Sequence, residues 1–569
     1  MQFSQDDISR KLATVPWWGR ISLLWLMFMP LCVAIYSLCL PISPNDFWYH
    51  ARAGSVTATT GHIPTQNLFS TGVPLDTPYF NQGWIAHWAF YKILGSGGLD
   101  WIAVFRSACM AFAYALIAWA AFRRARRVAH AQLSGQESPA QLLEIENSAA
   151  HVAALAALLT FLMSALNMDV RPQTFSFPLF AFFTFAVYEW PFNDRARPIL
   201  MLLLGVALAL WSNLHGAFLT ALIALWMVCV GEWIHAARHL TFFGAVLSTT
   251  ARYQLLALAG LCSLTAMINP RGAGIYHYAF GLAGNYTSQK FIAEWQRPSF
   301  LEWNSDVFFI APFLLAYLIY KSAPRADKWL CAPCGVRAGE ILALLALVAM
   351  GFRNVRAIVW FALFFAPAFS GAFMAAFVSA KLKAQKAIPE PTPAVYAMNA
   401  VMAFLLLFLI VPALPWIKPE LPLPPAYQAR FAPTPQGKFP LGFADDPPLL
   451  IENTTPVEAI DFLRKHPPRG KLYNEMVFGS YLMWALYPKT LPNADPRIEL
   501  YPDEYWKKYL EFNNNPRNAG AVLTREGYSD ALLNPKLQEP LVEELSRTPG
   551  WKKYAFKSGP AILFRRVAP

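Results

Sequence analysis

The chain has 569 residues, 56% hydrophobic and 14% charged, with a formal net charge of +12 and a mean hydropathy of +0.32. Soluble globular chains carry about 25% charged residues, so this composition excludes an ordinary soluble enzyme and describes a polytopic α-helical membrane protein. Nucleic-acid binding is not expected either, because the lysines and arginines cluster beside apolar stretches, as basic loops retained on the cytoplasmic side do.

The first apolar stretch, residues 21–40, is uncharged, and about 20 apolar residues suffice to cross a bilayer. It is too long for an ordinary signal sequence and lacks a small-residue cleavage site, so it reads as a retained span. Directly after it comes Asn45-Asp46-Phe47-Trp48-Tyr49-His50, which places Asp46 and His50 at a membrane surface. Four residues apart, they share one face if the segment is helical. The same loop holds Arg52, His62 and His87 among many aromatics, read as interfacial polar residues.

Ten further apolar stretches follow, near residues 101–122, 152–168, 174–190, 198–213, 216–235, 253–269, 305–320, 339–351, 357–380 and 394–417. With the N-terminus, carrying Lys11 and Arg20, on the cytoplasmic side, alternation places the main basic clusters inside. These are Arg123-Arg124-Ala125-Arg126-Arg127, Arg195 with Arg197, Arg238, Lys321 with Arg325 and Lys328, and Lys381 with Lys383 and Lys386. The expected orientation therefore has a cytoplasmic N-terminus, with the remaining loops and the C-terminal region facing outward.

Five outward loops or span ends carry groups that are costly near hydrocarbon and so point to a site. They are Asp46 with His50; Asp169 with Arg171; His215 in Trp211-Ser212-Asn213-Leu214-His215-Gly216; Arg271 and Glu294 in one long loop; and Arg353 with Arg356. Acids and arginines on one membrane face suit chemistry on a negatively charged lipid-linked group. Arginine clamps phosphate through paired N–H groups, and a carboxylate could take a proton from an acceptor hydroxyl or hold a divalent cation.

Beyond the last span a proline-dense stretch, residues 411–448, reads as an extended spacer. Residues 450–569 change character. Helices are expected over 456–463, 479–486 and 503–512, and strands over 471–474, 519–523 and 561–564, giving a small extracytoplasmic α/β domain. The expected organisation is thus a membrane domain over 1–417, a linker over 418–449 and the α/β domain over 450–569. Five of the seven cysteines lie in apolar stretches as small hydrophobes. Cys331-Ala332-Pro333-Cys334 is a single pair without the second pair that a zinc site needs.

Asp46 to His50, Gly61-His62-Ile63-Pro64, Asn67-Leu68-Phe69-Ser70 and Gly83-Trp84 together resemble the first outward loop of bacterial integral-membrane glycosyltransferases of the GT-C superfamily. Asp169-Val170-Arg171-Pro172-Gln173, the Trp211–Gly216 block, Asn269-Pro270-Arg271-Gly272, Glu294-Trp295 and Arg353-Asn354-Val355-Arg356 resemble later blocks of one branch. Asn474-Glu475, the segment 479–482 and the segment 495–502 resemble its appended extracytoplasmic domain.

The resemblance implies a polyprenyl-phosphate-linked sugar donor, a glycan, lipid or protein acceptor, and a site at the outer membrane surface. It implies Asp46 as the catalytic carboxylate and Asp169 as a second acid. Arg171, Arg271, Arg353 and Arg356 would face the donor phosphate, with His50, His215 and Glu294 in support. The adjacent acid pair of several relatives is missing here, since Asn45 precedes Asp46, and this leaves open whether Asp46 acts as base or as metal ligand. Two rival readings are a transporter or flippase of lipid-linked glycans, expected to show inverted repeats and broken helices at the midplane, and a non-catalytic subunit of a glycan assembly complex.

Overall fold

The computed structural model describes residues 17–42, 46–131, 139–238, 246–284, 293–322, 336–378, 392–417, 421–422, 451, 454–557 and 559–567. The Cys331/Cys334 pair, Arg325, Lys328, the 381–386 lysines and most of the proline-dense spacer lie outside these residues. Among the described residues, a helix overlaps each of the expected apolar stretches: α1 (Ile21–Cys39), α3 (Trp84–His130), α4 (Pro139–Ser164), α5 (Gln173–Glu189), α6 (Arg197–Ser212), α7 (Phe218–Arg238), α8 (Thr249–Thr265), α10 (Trp303–Ser322), α11 (Ala338–Arg353), α12 (Ile358–Phe373) and α13 (Pro393–Phe408). Between them lie α2 (Phe47–Thr60) and α9 (Gly274–Gly284).

Among the described residues, seven helical segments are long and apolar enough to cross a membrane, which makes the protein a multi-pass membrane protein. The other four, α5, α6, α8 and α11, have 16 or 17 residues. At 1.5 Å per residue they fall short of the roughly 30 Å hydrocarbon core.

α3 is two helices joined at Gly97 and Gly98, where Gly98 takes the left-handed φ of +67°. That break separates a short arm packed on α2 from the long apolar arm that begins at Leu99. α12 is buried along almost its whole length and forms the centre of the bundle, packed against α3, α4, α10 and α11. α13 is largely exposed and lies at the rim against α1. α7 and α11 approach closely because two glycines face each other: a Cβ on Gly231 would fall 2.6 Å from the Gly339 Cα.

At the ends of the helices expected to face the cytoplasm, the basic cluster is paired internally. Arg124 meets Glu340 at 2.7 Å, Arg123 and Arg127 share Glu189, Arg20 reaches Glu146 at 3.0 Å, and Arg337 meets Glu232 at 2.6 Å. These arginines therefore do more than orient loops. They also neutralise glutamates that would otherwise be buried as unpaired charges.

The C-terminal region holds α14 (Val457–Lys465), β1 (Lys471–Asn474), α15 (Gly479–Leu486), α16 (Asp503–Asn514), α17 (Ala519–Arg525), β2 (Tyr528–Leu533), α18 (Glu539–Arg547), β3 (Trp551–Ala555) and β4 (Ile562–Arg566). Its four-stranded sheet runs β1-β2-β4-β3, with β1 parallel to β2 and the other neighbours antiparallel. Residues 519–523, expected as a strand, are instead helical. The strands Tyr528–Leu533 and Trp551–Ala555 were not anticipated.

This region shares a core with the segment between α1 and α3. Phe47, Trp48 and Ala51 of α2 cluster with Tyr481, Trp484, Leu532 and Leu563. Arg52 donates from Nε to the Met483 carbonyl at 3.1 Å, and Arg497 reaches Asn67 Oδ1 at 3.0 Å.

Candidate active site

Asp46 stands at the start of α2, just past the end of α1. The end of α1 is pinned by a residue that the sequence reading passed over. Arg106, fully buried in α3, donates to the carbonyls of Ser37, Leu40 and Pro41 at 2.6, 2.6 and 2.8 Å. A cation at a helix C-terminus satisfies carbonyls that have no partner within the helix. Here it holds the end of α1 as far as Pro41.

Asp169 and Arg171 lie between α4 and α5. The Thr174 hydroxyl donates to the Asp169 carbonyl at 2.9 Å and accepts from the Arg171 amide at 3.3 Å, closing the turn so that Arg171 reaches across the site. Its Nε lies 3.2 Å from Asp46 Oδ2, and its Nη1 donates to Glu294 Oε1 at 2.6 Å. One guanidinium thus joins two carboxylates from distant parts of the chain.

Arg356 enters from the opposite flank. α11 ends at Arg353, and Asn354 is extended, its side chain capping the following turn through the Ala357 amide at 2.9 Å. Arg353 consequently faces out and is exposed, whereas Arg356 turns inward. Arg356 Nε donates to Gln173 Oε1 at 2.8 Å, Nη2 lies 3.4 Å from His215 Nε2, and Nη1 lies 4.0 Å from Glu294. The Val355 amide also donates to the Gln296 carbonyl at 3.0 Å, holding the Glu294 segment against the Arg356 turn.

His215 is set by Ser176, whose hydroxyl lies 3.0 Å from its Nδ1 and accepts from Trp211 Nε1 at 2.8 Å. His50 pairs with His87 across α2 and the short arm of α3, Nδ1 to Nε2 at 2.9 Å. Gly54, one turn after His50, permits this approach, because a Cβ there would fall 1.9 Å from the His87 carbonyl oxygen. His87 is therefore a buried partner of the site and not an interfacial loop residue.

Arg271 departs from the expectation. It is exposed and stacks on Phe80 and Tyr278, 4.0 and 4.9 Å from the ring centroids. Arg271 and Arg353 are thus outside the group formed by Asp46, Asp169, Arg171, His215, Glu294 and Arg356.

The electrostatics follow from burial and from this charge arrangement. Burial pushes Asp46 above the usual carboxylate range, with Arg171 pulling the other way and Glu294 adding to the rise. Asp169 is pushed up to about 6 by burial, against Arg171, with Glu294 and Asp46 reinforcing it. Glu294 is held below its usual value: burial opposes this, but Arg171 and Arg356 prevail. Burial likewise opposes charge on Arg171, yet Asp46, Glu294 and Asp169 hold it above the ordinary arginine value. Burial, then Arg356, keep His215 neutral.

A divalent cation between the acids does not fit these residues. The space between Asp46 and Glu294 is taken by the Arg171 guanidinium, and no group of three or more His, Cys, Asp or Glu among the described residues could hold a metal ion. What the arrangement can do is accept a proton at one carboxylate while presenting guanidinium N–H groups to an anion.

No family model matches the chain, and no curated protein matches it. Among solved structures, it is similar to ArnT from Cupriavidus metallidurans bound to undecaprenyl phosphate, at 15% identity and a TM-score of 0.48 over 96% of this chain and 98% of that one. The apo state of ArnT gives 14% identity and 0.46 over 95% and 97%. The arabinofuranosyltransferase AftD from Mycobacteria gives 17% identity and 0.47, with 100% of this chain covering 42% of that one.

Proposed function

We propose that the protein is an inverting glycosyltransferase that moves a sugar from a polyprenyl-phosphate donor to an acceptor hydroxyl at the outer face of the cytoplasmic membrane. The observation that carries this reading is the joining of Asp46 and Glu294 through Arg171, with Arg356 beside Glu294. A proton acceptor and two phosphate-binding cations then stand together at helix ends opposite the buried Arg–Glu pairs.

In the reaction, the acceptor oxygen attacks the anomeric carbon as its proton passes to the Asp46 carboxylate. The bond between the anomeric carbon and the phosphate oxygen breaks, and the polyprenyl phosphate leaves with the electron pair. Its added charge develops next to Arg356 and Arg171. Donors already aimed at such a charge are a large source of rate enhancement, and Glu294, His215 and Gln173 hold the guanidinium groups in place before substrate arrives. Burial raises the proton affinity of Asp46, which suits it to receive the hydroxyl proton. Asp169 supports it from the neighbouring turn.

The test is transfer by the protein reconstituted in vesicles with a panel of labelled polyprenyl-phosphate sugars and lipid or glycan acceptors. The reading requires a new glycosidic product that disappears with Asp46→Asn. A labelled lipid that crosses the bilayer chemically unchanged, with no product from any donor, would replace it with the flippase reading.

A further inference from the structure

His50 and His87 touch through ring nitrogens 2.9 Å apart, with rings nearly parallel at 28° and centroids 4.7 Å apart. Between two neutral imidazoles only one proton lies in such a contact, so there are two ways to place it. If His50 Nδ1 were the donor, His87 would carry its own proton on Nδ1. That atom is buried and has no hydrogen-bond partner among the described residues, so a buried N–H would go unsatisfied. If His87 Nε2 is the donor, the buried Nδ1 carries a lone pair instead. Unsatisfied buried N–H groups are the rarer of the two in folded proteins.

The second arrangement fixes the other end of the pair. With its Nδ1 accepting, His50 must carry its proton on Nε2, the nitrogen away from His87. Which nitrogen of a histidine is protonated is set by the hydrogen bond the other one makes.

Resting on the glycosyltransferase reading, we propose that His50 and His87 form a tautomer-locked neutral dyad in which His50 Nε2–H is a hydrogen-bond donor to a phosphate oxygen of the lipid-linked substrate. His50 is one helical turn from Asp46, its amide donating to the Asp46 carbonyl at 3.2 Å. Burial, together with the nearby Arg171 and Arg356, lowers its proton affinity to about 3. An imidazolium there would be a third cation beside two guanidiniums, whereas a neutral ring adds a donor without that repulsion. The charged and titratable groups that interact with its ring are Arg171, Arg356 and His215, in addition to His87, while Asp46 precedes it by one helical turn. His50 is therefore assigned to substrate binding, and proton acceptance stays with Asp46.

Glutamine and asparagine separate the two ring nitrogens. In His50→Gln the amide N–H2 can occupy the region of Nε2 and keep the donor. In His50→Asn the short amide matches the Nδ1 position, keeping the contact to His87 and losing the far donor. A hydrogen bond to a charged group is worth about ten- to a hundredfold. His50→Asn should therefore lose about that much in kcat/KM, chiefly in KM for the lipid donor, and His50→Gln should recover most of the loss. Asparagine performing as well as glutamine would overturn the assignment.

The tautomers can be read without turnover. Nitrogen-15 spectra of histidine-labelled full-length protein in detergent, with the two signals assigned by His50→Gln and His87→Gln, should show both rings protonated at Nε2 only, from pH 8 down to pH 5.5. A proton on His50 Nδ1, or a doubly protonated His50 in that range, would refute the dyad. If wild-type protein transfers no sugar but the spectra are as expected, the transferase reading fails separately. Undecaprenyl phosphate and inorganic phosphate, titrated in turn, then test the donor. Weaker lipid binding by His50→Asn than by His50→Gln supports it, and equal binding refutes it. Parallel losses for inorganic phosphate identify the phosphate itself as the group contacted.

Discussion

Arg171 and Glu294 lie 123 residues apart in the chain, and Arg171 Nη1 donates to Glu294 Oε1 at 2.6 Å. The same guanidinium faces Asp46 through Nε. This shared cation opposes the rise that burial imposes on Asp46 and holds Glu294 ionised, and several of the predictions follow from it.

Asp46→Asn retains shape and removes the proton acceptor. Transfer should fall at least about a hundredfold, the lower end of what a positioned general base contributes. Expression, membrane insertion and detergent-extracted monodispersity should match wild type. Near-normal turnover by this variant in vesicles would move the base elsewhere.

Glu294→Gln removes a negative charge that raises the proton affinities of both Asp46 and Asp169. Both carboxyls should then ionise at lower pH. The acid limb of the kcat/KM–pH profile should shift to lower pH, with a smaller maximal rate because Arg171 loses its anchor. A limb that stays in place or moves to higher pH would contradict the proposed coupling.

Asp169 holds its proton up to about pH 6 in the folded protein, against an ordinary value near 3.9. Between these values the unfolded chain has released a proton that the folded one keeps. Its contribution to stability is therefore present at low pH and declines as pH rises from about 4 to 6. Asp169→Asn should lack this decline, gaining thermal stability relative to wild type at pH 7 more than at pH 4.5. Melting curves at both values check the sign.

Arg356→Ala should raise KM for the lipid donor and lower kcat, with about ten- to a hundredfold lost in kcat/KM for a charge-assisted contact. Arg356→Lys should recover only part of this, because an ammonium cannot keep the separate contacts to Gln173 and His215. Arg353→Ala and Arg271→Ala should have much smaller effects, since both side chains are exposed away from the group. Equal losses at Arg353 and Arg356 would argue against the inward turn at Asn354.

Arg497 pairs with Asp495 at 2.8 Å with both side chains almost fully buried, and it stacks beside Tyr49, Phe69 and Tyr79. Arg497→Met leaves Asp495 buried and unpaired, at a cost of about 3–5 kcal/mol. Protease cleavage within the C-terminal region and a lower melting temperature are expected, and unaltered cleavage would mean that the pair does not hold this region on the segment between α1 and α3.

Hydropathy is a property of neighbouring residues, so the helices were legible in the chain itself. Each expected apolar stretch lies on a helix, and the polar residues gathered at one set of ends were visible for the same reason. Short segments were harder, because a few apolar residues fit either a helix or a strand. Ala519–Arg525 turned out helical, and Tyr528–Leu533 was hidden by Ser529 and Asp530, although Asp530 is matched across the sheet by Arg565 at 2.5 Å.

The order of residues alone specifies a many-helix membrane protein with acids and arginines concentrated at one set of helix ends. It could not distinguish Arg356, which turns inward, from Arg353, which is exposed three residues away. Nor could it pair His50 with His87, pin the end of α1 through Arg106, or bring Glu294 to Arg171. Those contacts were decided by tertiary packing: by Gly54 letting two helices touch, by the extended Asn354 reversing a side chain's direction, and by separate turns meeting at one end of the bundle. Side-chain pairing depends on where helices cross in space, and a linear pattern of polarity carries no record of those crossings.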